Sequence, residues 1–248
     1  MAEGSLSLDT RVVMPSVTLP NWTSHLCGSG PEQHGVVDNS WEISKFVLPA
    51  IETDSKGYYP SVFKVLKEAL PQAKTAFYYN WINLFYPYNK QYLDEVSYLE
   101  EDAYVPNYEK ALSFLMENRK NPTLVFLYSV HTDHAGHKYK WMSPEYIQSI
   151  EEADVEIGKF IEKMKQEGLY KDTHFMFLTD HGGINYGHGG VSTNEMIVPW
   201  GIAGPGAKKG FKITEANNTV NTAAIILHLF KVKQPLSWTG EVIETIFK

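Results

Sequence analysis

The chain is poor in the features that announce several common classes of protein. Among its 248 residues there is a single cysteine, Cys27, which excludes an intramolecular disulfide framework and leaves the redox compartment open. Positive charge is in deficit: 22 Lys and Arg against 29 Asp and Glu give a formal net charge of −7. Binding along a nucleic-acid polymer needs a basic footprint, so such a polymer is disfavoured as the main ligand. A small anion is not, because local charge departs from net charge. No apolar run is long enough to span a bilayer, and no internal repeat or low-complexity tract interrupts the chain. The opening residues Met1-Ala2-Glu3-Gly4-Ser5 lack a basic n-region and an apolar h-region and are not read as a signal peptide, which leaves the localisation unassigned. With 43% hydrophobic and 21% charged residues, what remains is enough material for one sizeable core, read as one domain over 1–248.

Hydrophobic patterning supplies the fold class. Thr123 to Val130 and Thr173 to Thr179 are nearly continuous apolar runs of strand formers, the mark of strands buried on both faces. Between them, Pro144 to Gly168 carries Ile147, Ile150, Val155, Ile157, Ile161 and Met164 at helical spacing, started by Ser143-Pro144 and stopped by Gly168. Strand, long helix, strand predicts a βαβ unit and a parallel sheet. Helices are also predicted over 60–70, 107–118 and 220–230, and one opening after Thr18. Strands are predicted over 10–14, 74–79 and 196–203. Alternating elements argue an α/β fold, a three-layer α/β/α sandwich with a mostly parallel central sheet. Residues 78–108 hold eight of the 15 tyrosines without regular periodicity and read as an aromatic-rich excursion from that sheet.

Six of the nine histidines fall between positions 131 and 188, and five of these, His131, His134, His137, His181 and His188, cluster around two Asp-His motifs. Asp133-His134-Ala135-Gly136-His137 follows one predicted strand, and Asp180-His181-Gly182-Gly183 follows the other. Ligands in open α/β sheets bind beyond the carboxyl ends of strands, so two strands deliver Asp and His to one rim. Both residue types are zinc ligands, and Gly136, Gly182 and Gly183 are read as places where the backbone turns sharply. His188, between Gly187 and Gly189, is near enough in sequence to fold onto the same site. His131 and His134 read as supporting or solvated residues, and His228, in an apolar helix, as packed. His25, His34 and His174 show no partner pattern. Thr18 lies where a strand gives way to a helix. Its hydroxyl is either an N-cap or a nucleophile aimed at an anion held by the helix N-terminus.

Taken jointly, these segments resemble the type I phosphodiesterase/nucleotide pyrophosphatase family of the alkaline phosphatase superfamily. The match runs from Thr18 before Leu19-Pro20-Asn21, through Pro31-Glu32-Gln33-His34-Gly35 and Asn39, to the motifs at 133–137, 180–182 and 187–189, in the family's order and over almost the whole chain. The resemblance implies an alkaline phosphatase-like fold and a two-zinc hydrolase of phosphate esters (phosphodiesters, pyrophosphates or monoesters) acting through a covalent phosphothreonine. Thr18 would be the nucleophile, and Asn39 with the Thr18 amide would hold the phosphoryl oxygens. Asp133, His137 and His188 would hold one zinc, and Asp180, His181 and Thr18 the other. The implied partner is a small phosphate-ester substrate, with Trp81, Phe85, Tyr86 and Tyr88 available to stack on a base. A sulfatase is disfavoured, because Cys27-Gly28-Ser29-Gly30-Pro31 lacks the sulfatase pattern; a phosphoglycerate mutase or phosphopentomutase is disfavoured by the Thr18 context and by length.

The chain departs from the family in one respect. A further Asp ligand ends the family's first strand, well upstream of the nucleophile, whereas 17 residues precede Thr18 here and Asp9 is too close to replace it. An N-terminal truncation is therefore expected, with a gap or an unpaired edge in the sheet and a weakened second zinc site. The alternative function that follows is a catalytically impaired remnant that binds zinc and anions without turnover.

Overall fold

The computed structural model describes residues 2–100 and 102–248. In chain order the elements are β1 (Gly4–Arg11), α1 (Thr18–Cys27), α2 (Pro31–His34), α3 (Val62–Ala69), β2 (Lys74–Tyr79), β3 (Glu95–Tyr98), α4 (Val105–Glu117) and β4 (Thr123–Leu127). They continue with α5 (His131–Tyr139), α6 (Pro144–Gln166), β5 (Phe175–Phe177), α7 (Thr193–Met196), β6 (Ile197–Ala203), β7 (Phe211–Lys212) and α8 (Asn221–Leu229). Strands lie between two helical layers, α1, α3 and α8 on one side and α4, α5 and α6 on the other. This is the α/β architecture expected, and three of the five strand pairings among the described residues are parallel.

The two-residue period of β2 shows how the layers are built. Phe77 and Tyr79 face α1, α3 and α8 in an aromatic core with Trp22, Phe63, Tyr88 and Phe126. Ala76 and Tyr78 face the other way, onto Ala111 and Phe114 of α4. Phe77 and Phe126 are register partners with ring centroids 4.7 Å apart, a cross-strand aromatic pair of the kind that stabilises a sheet. Helix α6 begins where expected: Ser143 accepts a hydrogen bond from Tyr146 N at 3.2 Å, Pro144 occupies the first turn, and Gly168 follows the last turn at φ 72°. Helix α1 ends at Gly28, at φ 60°, where an added Cβ would lie 2.5 Å from the Trp238 ring.

The predicted βαβ unit needs correction. Its three elements form, but β4 and β5 do not share a sheet. The all-parallel order β3-β2-β4 ends at β4, and the mixed order β5-β6-β1-β7 begins at β5, which pairs antiparallel with β6. Between the two edges runs a cleft of about 1990 Å³ whose walls include Leu124, Phe126, Met176 and Leu178. The gap expected in the sheet is therefore present. It also explains why neither strand is buried on both faces, since Phe177 is exposed and most of β4 is only half-buried.

Two smaller expectations also shift. The strand predicted over 10–14 lies earlier, over Gly4–Arg11, where its pairing with β6 ends at Arg11. Within 78–108, Glu95–Tyr98 forms β3 and pairs with β2, so part of that segment belongs to the sheet. No described helix is long and apolar enough to cross a membrane.

Candidate metal centre

Beyond β4 the chain enters α5, which places Asp133 in its first turn and His137 one turn later. Spacing of i, i+4 puts both side chains on one helix face, and the helix N-terminus favours the Asp133 carboxylate. The glycines expected to turn the backbone here do something else. Gly136 lies inside α5, where an added Cβ would sit 2.6 Å from the Trp141 ring; at Gly183 it would sit 2.2 Å from the same ring. Gly182 lies so close to Asn194 O that a Cβ would come within 2.0 Å of it. All three permit close approach rather than a left-handed turn. The indole of buried Trp141, wedged between two of them, meets His137 edge-on with centroids 4.9 Å apart. Trp141 was not legible as a site residue, although glycines flanking both ligand motifs were its only available trace.

The seven predicted site residues converge. His137 Nε2 is 3.5 Å from Asp133 Oδ2, and His188 Nε2 is 3.7 Å from Asp133 Oδ1. The ligand atoms of Asp133, His137 and His188 all lie within 4.8 Å of one another. His181 Nε2 lies 3.3 Å from Asp180 Oδ2, 4.0 Å from Asp133 Oδ1 and 3.2 Å from Thr18 Oγ1. The His181 and His188 rings stack with centroids 3.7 Å apart. Four ligands at zinc–nitrogen or zinc–oxygen distances of about 2.0–2.1 Å around a tetrahedron stand about 3.3 Å apart, so the Asp133, His137 and His188 atoms suit a metal ion of this kind after small adjustments.

Hydrogen bonding fits such an ion as well. His137 Nδ1 donates to Tyr186 O at 2.9 Å, His181 Nδ1 to Gly182 O at 2.8 Å and His188 Nδ1 to Ser16 O at 3.0 Å. Each ring thus carries a proton on Nδ1, which leaves Nε2 as the nitrogen available to a metal. Asp133 Oδ1 is buried and has no hydrogen-bond partner. Burial, with the Asp133 charge second, pushes the Asp180 carboxyl up to about 8. Burial also holds His181 and His188 below the usual imidazole range. Burial and the neighbouring Asp133 charge thus oppose ionisation of Asp180, an opposition that a divalent cation at this point would relieve.

At Thr18 the two readings separate. Val17 is the N-cap residue of α1 and Thr18 is already helical, so its hydroxyl caps nothing; it is largely buried and turned to His181. Leu19 N donates instead to Asn39 Oδ1 at 2.8 Å. With its oxygen so engaged, and its carbonyl held by Asn83 Nδ2 at 3.0 Å, Asn39 has its side-chain N–H donors left for an anion. Ser16 is fully buried and donates to Gly190 O at 2.7 Å.

The remaining histidines lie elsewhere. His131 is buried against the Tyr104 ring, with centroids 4.1 Å apart, and His134 pairs with exposed Asp102. His228 is exposed and stacks on Phe247, against the expectation that it packs within its helix. His25 does have partners: it sits fully buried between Thr222 Oγ1 and Thr179 O. Of the four aromatics offered for stacking, Tyr88 is buried core and Phe85 packs against that core, whereas Tyr86 is exposed and Trp81 partly so.

Comparisons with known proteins give the family and the fold. The chain is 25% identical over 179 residues to the venom phosphodiesterase of Macrovipera lebetinus, covering 72% of this chain and 17% of that one. It is 25% identical over 186 residues to human ectonucleotide pyrophosphatase/phosphodiesterase family member 1, covering 72% and 20%. An uncharacterized pyrophosphatase/phosphodiesterase of Schizosaccharomyces pombe is 25% identical over 199 residues, covering 68% and 36%. The chain thus spans 17% to 36% of the length of these curated relatives. The fold superposes on murine ectonucleotide pyrophosphatase/phosphodiesterase 5 with a TM-score of 0.79 at 15% identity, over 100% of this chain and 93% of that one. An inactive threonine-to-alanine variant of the murine protein, solved with AMP, gives 0.78 at 14% identity, over 100% and 92%. The profile of the type I phosphodiesterase / nucleotide pyrophosphatase family matches residues 1–223, and the chain belongs to that family.

Proposed function

We propose that the chain hydrolyses small phosphodiesters or pyrophosphates, nucleotides among them, with Thr18 as nucleophile and two zinc ions as cofactors. The observation that carries this reading is the Thr18 hydroxyl, not engaged as a cap, 3.2 Å from the bare Nε2 of His181 at the edge of the Asp180–His181 pair. The inactive variant of the structurally similar murine protein, solved with AMP, supports a nucleotide-sized substrate. Asp133, His137 and His188 would hold one zinc, and Asp180, His181 and Thr18 the other. Bound zinc would supply Lewis acidity, lowering the pKa of a coordinated hydroxyl or water and stabilising developing charge on oxygen. Asn39 donates from its side-chain amide to a phosphoryl oxygen, held in place by Leu19 N and Asn83. Thr18 Oγ1 releases its proton to solvent and bonds to phosphorus as the P–O bond to the leaving alcohol or phosphate breaks, and that oxygen departs with the electron pair and takes up a proton from solvent. Water then attacks the phosphothreonine, breaking the Oγ1–P bond and restoring the hydroxyl. Exposed Tyr86 and half-buried Trp81, on either side of Asn83 in sequence, would be available to stack on a base.

A second reading, zinc and anion binding without turnover, is favoured by the cleft, which reaches Asp133, Asp180 and His181 and leaves the rim bearing Asp180 with support on one side only. Hydrolysis of a nitrophenyl phosphodiester, measured with zinc titrated from zero to two equivalents, separates the two. Turnover that rises with zinc and vanishes in Thr18→Ala supports the enzyme. Binding of one zinc or none, without Thr18-dependent turnover, supports the silent form.

A further inference from the structure

Between the two ligand-bearing loops stands a side chain that the mechanism above does not use. Glu195 is buried in the four-residue helix α7. Its Oε2 accepts from Ser192 Oγ at 2.6 Å and Ser192 N at 3.2 Å, an ordinary capping box. Its contacts extend beyond that box in two directions. Oε1 accepts from Gly190 N at 2.8 Å, and the Glu195 backbone carbonyl accepts from Gly182 N at 2.9 Å. Gly182 directly follows His181, and Gly190 lies two residues past His188. Gly190 in turn accepts from Ser16 Oγ, and Ser16 O receives His188 Nδ1.

We propose that Glu195 is a positioning residue for the metal centre: it clasps the loop after His181 to the loop after His188 and so sets the spacing of the two Nε2 atoms. The inference rests on the zinc reading given above. Three observations carry it. A capping box needs only Ser192, yet the second carboxylate oxygen is spent on Gly190. The approach is close at both loops: a Cβ on Gly190 would come 2.7 Å from Glu195 Oε2, and one on Gly182 would come 2.0 Å from Asn194 O. The same clasp fixes Ser16, whose carbonyl determines which nitrogen of His188 is bare. A buried hydrogen-bonding partner that holds ligands in this way typically accounts for about 10- to 100-fold in metal affinity.

The test is zinc affinity, measured by competition with a chromophoric chelator, alongside the melting temperature of the metal-free protein. Ser192→Ala removes half of the capping box and leaves the clasp; it should lower the melting temperature and change zinc affinity less than twofold. Glu195→Ala removes the other half of the box together with the Gly190 end of the clasp; it should lower the melting temperature and weaken zinc binding by about 10- to 100-fold. Glu195→Gln keeps an oxygen for Gly190 N and should restore most of the affinity. If Glu195→Ala does not fold, Gly190→Ala, which forces the clasp open with Glu195 in place, must show the same loss. Equal zinc affinity in wild type and Glu195→Ala overturns the inference, as does an equal loss in Ser192→Ala and Glu195→Ala. A wild-type chain that binds no zinc at all defeats the metal reading itself, a result separate from these and visible before any variant is made.

Discussion

The two candidate ligand groups are built to different standards. Asp133 and His137 stand one turn apart on α5, a nine-residue helix packed on α6, and Trp141 braces His137. Asp180 and His181 follow β5, a strand of three residues with a neighbour on one side and a cleft on the other. Their third member, Thr18, comes from a different layer. A helix fixes two ligands at once, whereas a loop beyond a short edge strand fixes them through whatever holds the loop. Under the proposed function the comparison implies a rigid, tighter site beside a softer one that would carry the nucleophile, so that binding and turnover need not fail together.

The largest expected effect breaks that comparison at its softer end. Thr18→Ala should lower kcat by about 10³-fold or more, as loss of a covalent nucleophile does, while zinc at Asp133, His137 and His188 is retained. Ser16→Ala should cost far less, because the Ser16 hydroxyl is turned to Gly190 O. Equal losses in steady-state assays would count against Thr18.

Acid should act on the soft side next. His25 binds Thr179 O, the carbonyl just before Asp180, and burial holds its pKa at about 4. Its unfolded value is near 6.5, so between about pH 6.5 and 4 the unfolded chain binds the extra proton and stability falls as pH falls. The full loss across that window is about 3 kcal/mol. Urea unfolding of the metal-free protein at several pH values checks this, and a His25→Gln variant with an unchanged slope would refute it.

Asn39→Ala sharpens the comparison from the substrate side. Removing one preorganised donor should cost about 100-fold in kcat and leave zinc stoichiometry at the wild-type value. A change in stoichiometry would place Asn39 among the supports of the metal instead. The smallest effect expected is in the order of metal loss. Titration with a chelator should strip the Asp180–His181 site first, at about tenfold lower chelator than the site on α5. His181→Ala should abolish that first phase alone and His188→Ala the second. A single phase in the wild type would mean that the two groups are equally well held.

What could be read from the chain and what could not divide along physical lines. Local signals served well: Ser143-Pro144 and Gly168 bracket α6, and Lys74–Tyr79 is a strand over the residues expected. The site residues were legible because their motifs follow strands, and strand ends collect at one rim whatever the pairing. Pairing itself was not legible. Apolar runs show that β4 and β5 want burial, but nothing in either run says that no strand lies between them. Close approach was also hidden. A glycine looks the same in a sequence whether it serves a turn or an indole ring, so Gly136 and Gly183 were read as hinges and Trp141 was passed over. His25 was missed for a related reason, since its partners, Thr179 and Thr222, lie far along the chain.

The cleft also has a kinetic meaning. Hydrogen-bonded ladders are what make strands open together, and none of the described ones runs from β4 to β5. The half-sheet around β2 and the half-sheet around β6 and β1 are then joined through packing of α1 and α8 rather than through backbone. In native-state hydrogen exchange, amides of β2 and β6, flanked on both sides, should be the slowest, and each should belong to a cooperative unit of its own. Under mild denaturant one half is free to open while the other persists, and Thr18, Asp133 and Asp180 would then part company before the protein as a whole unfolds.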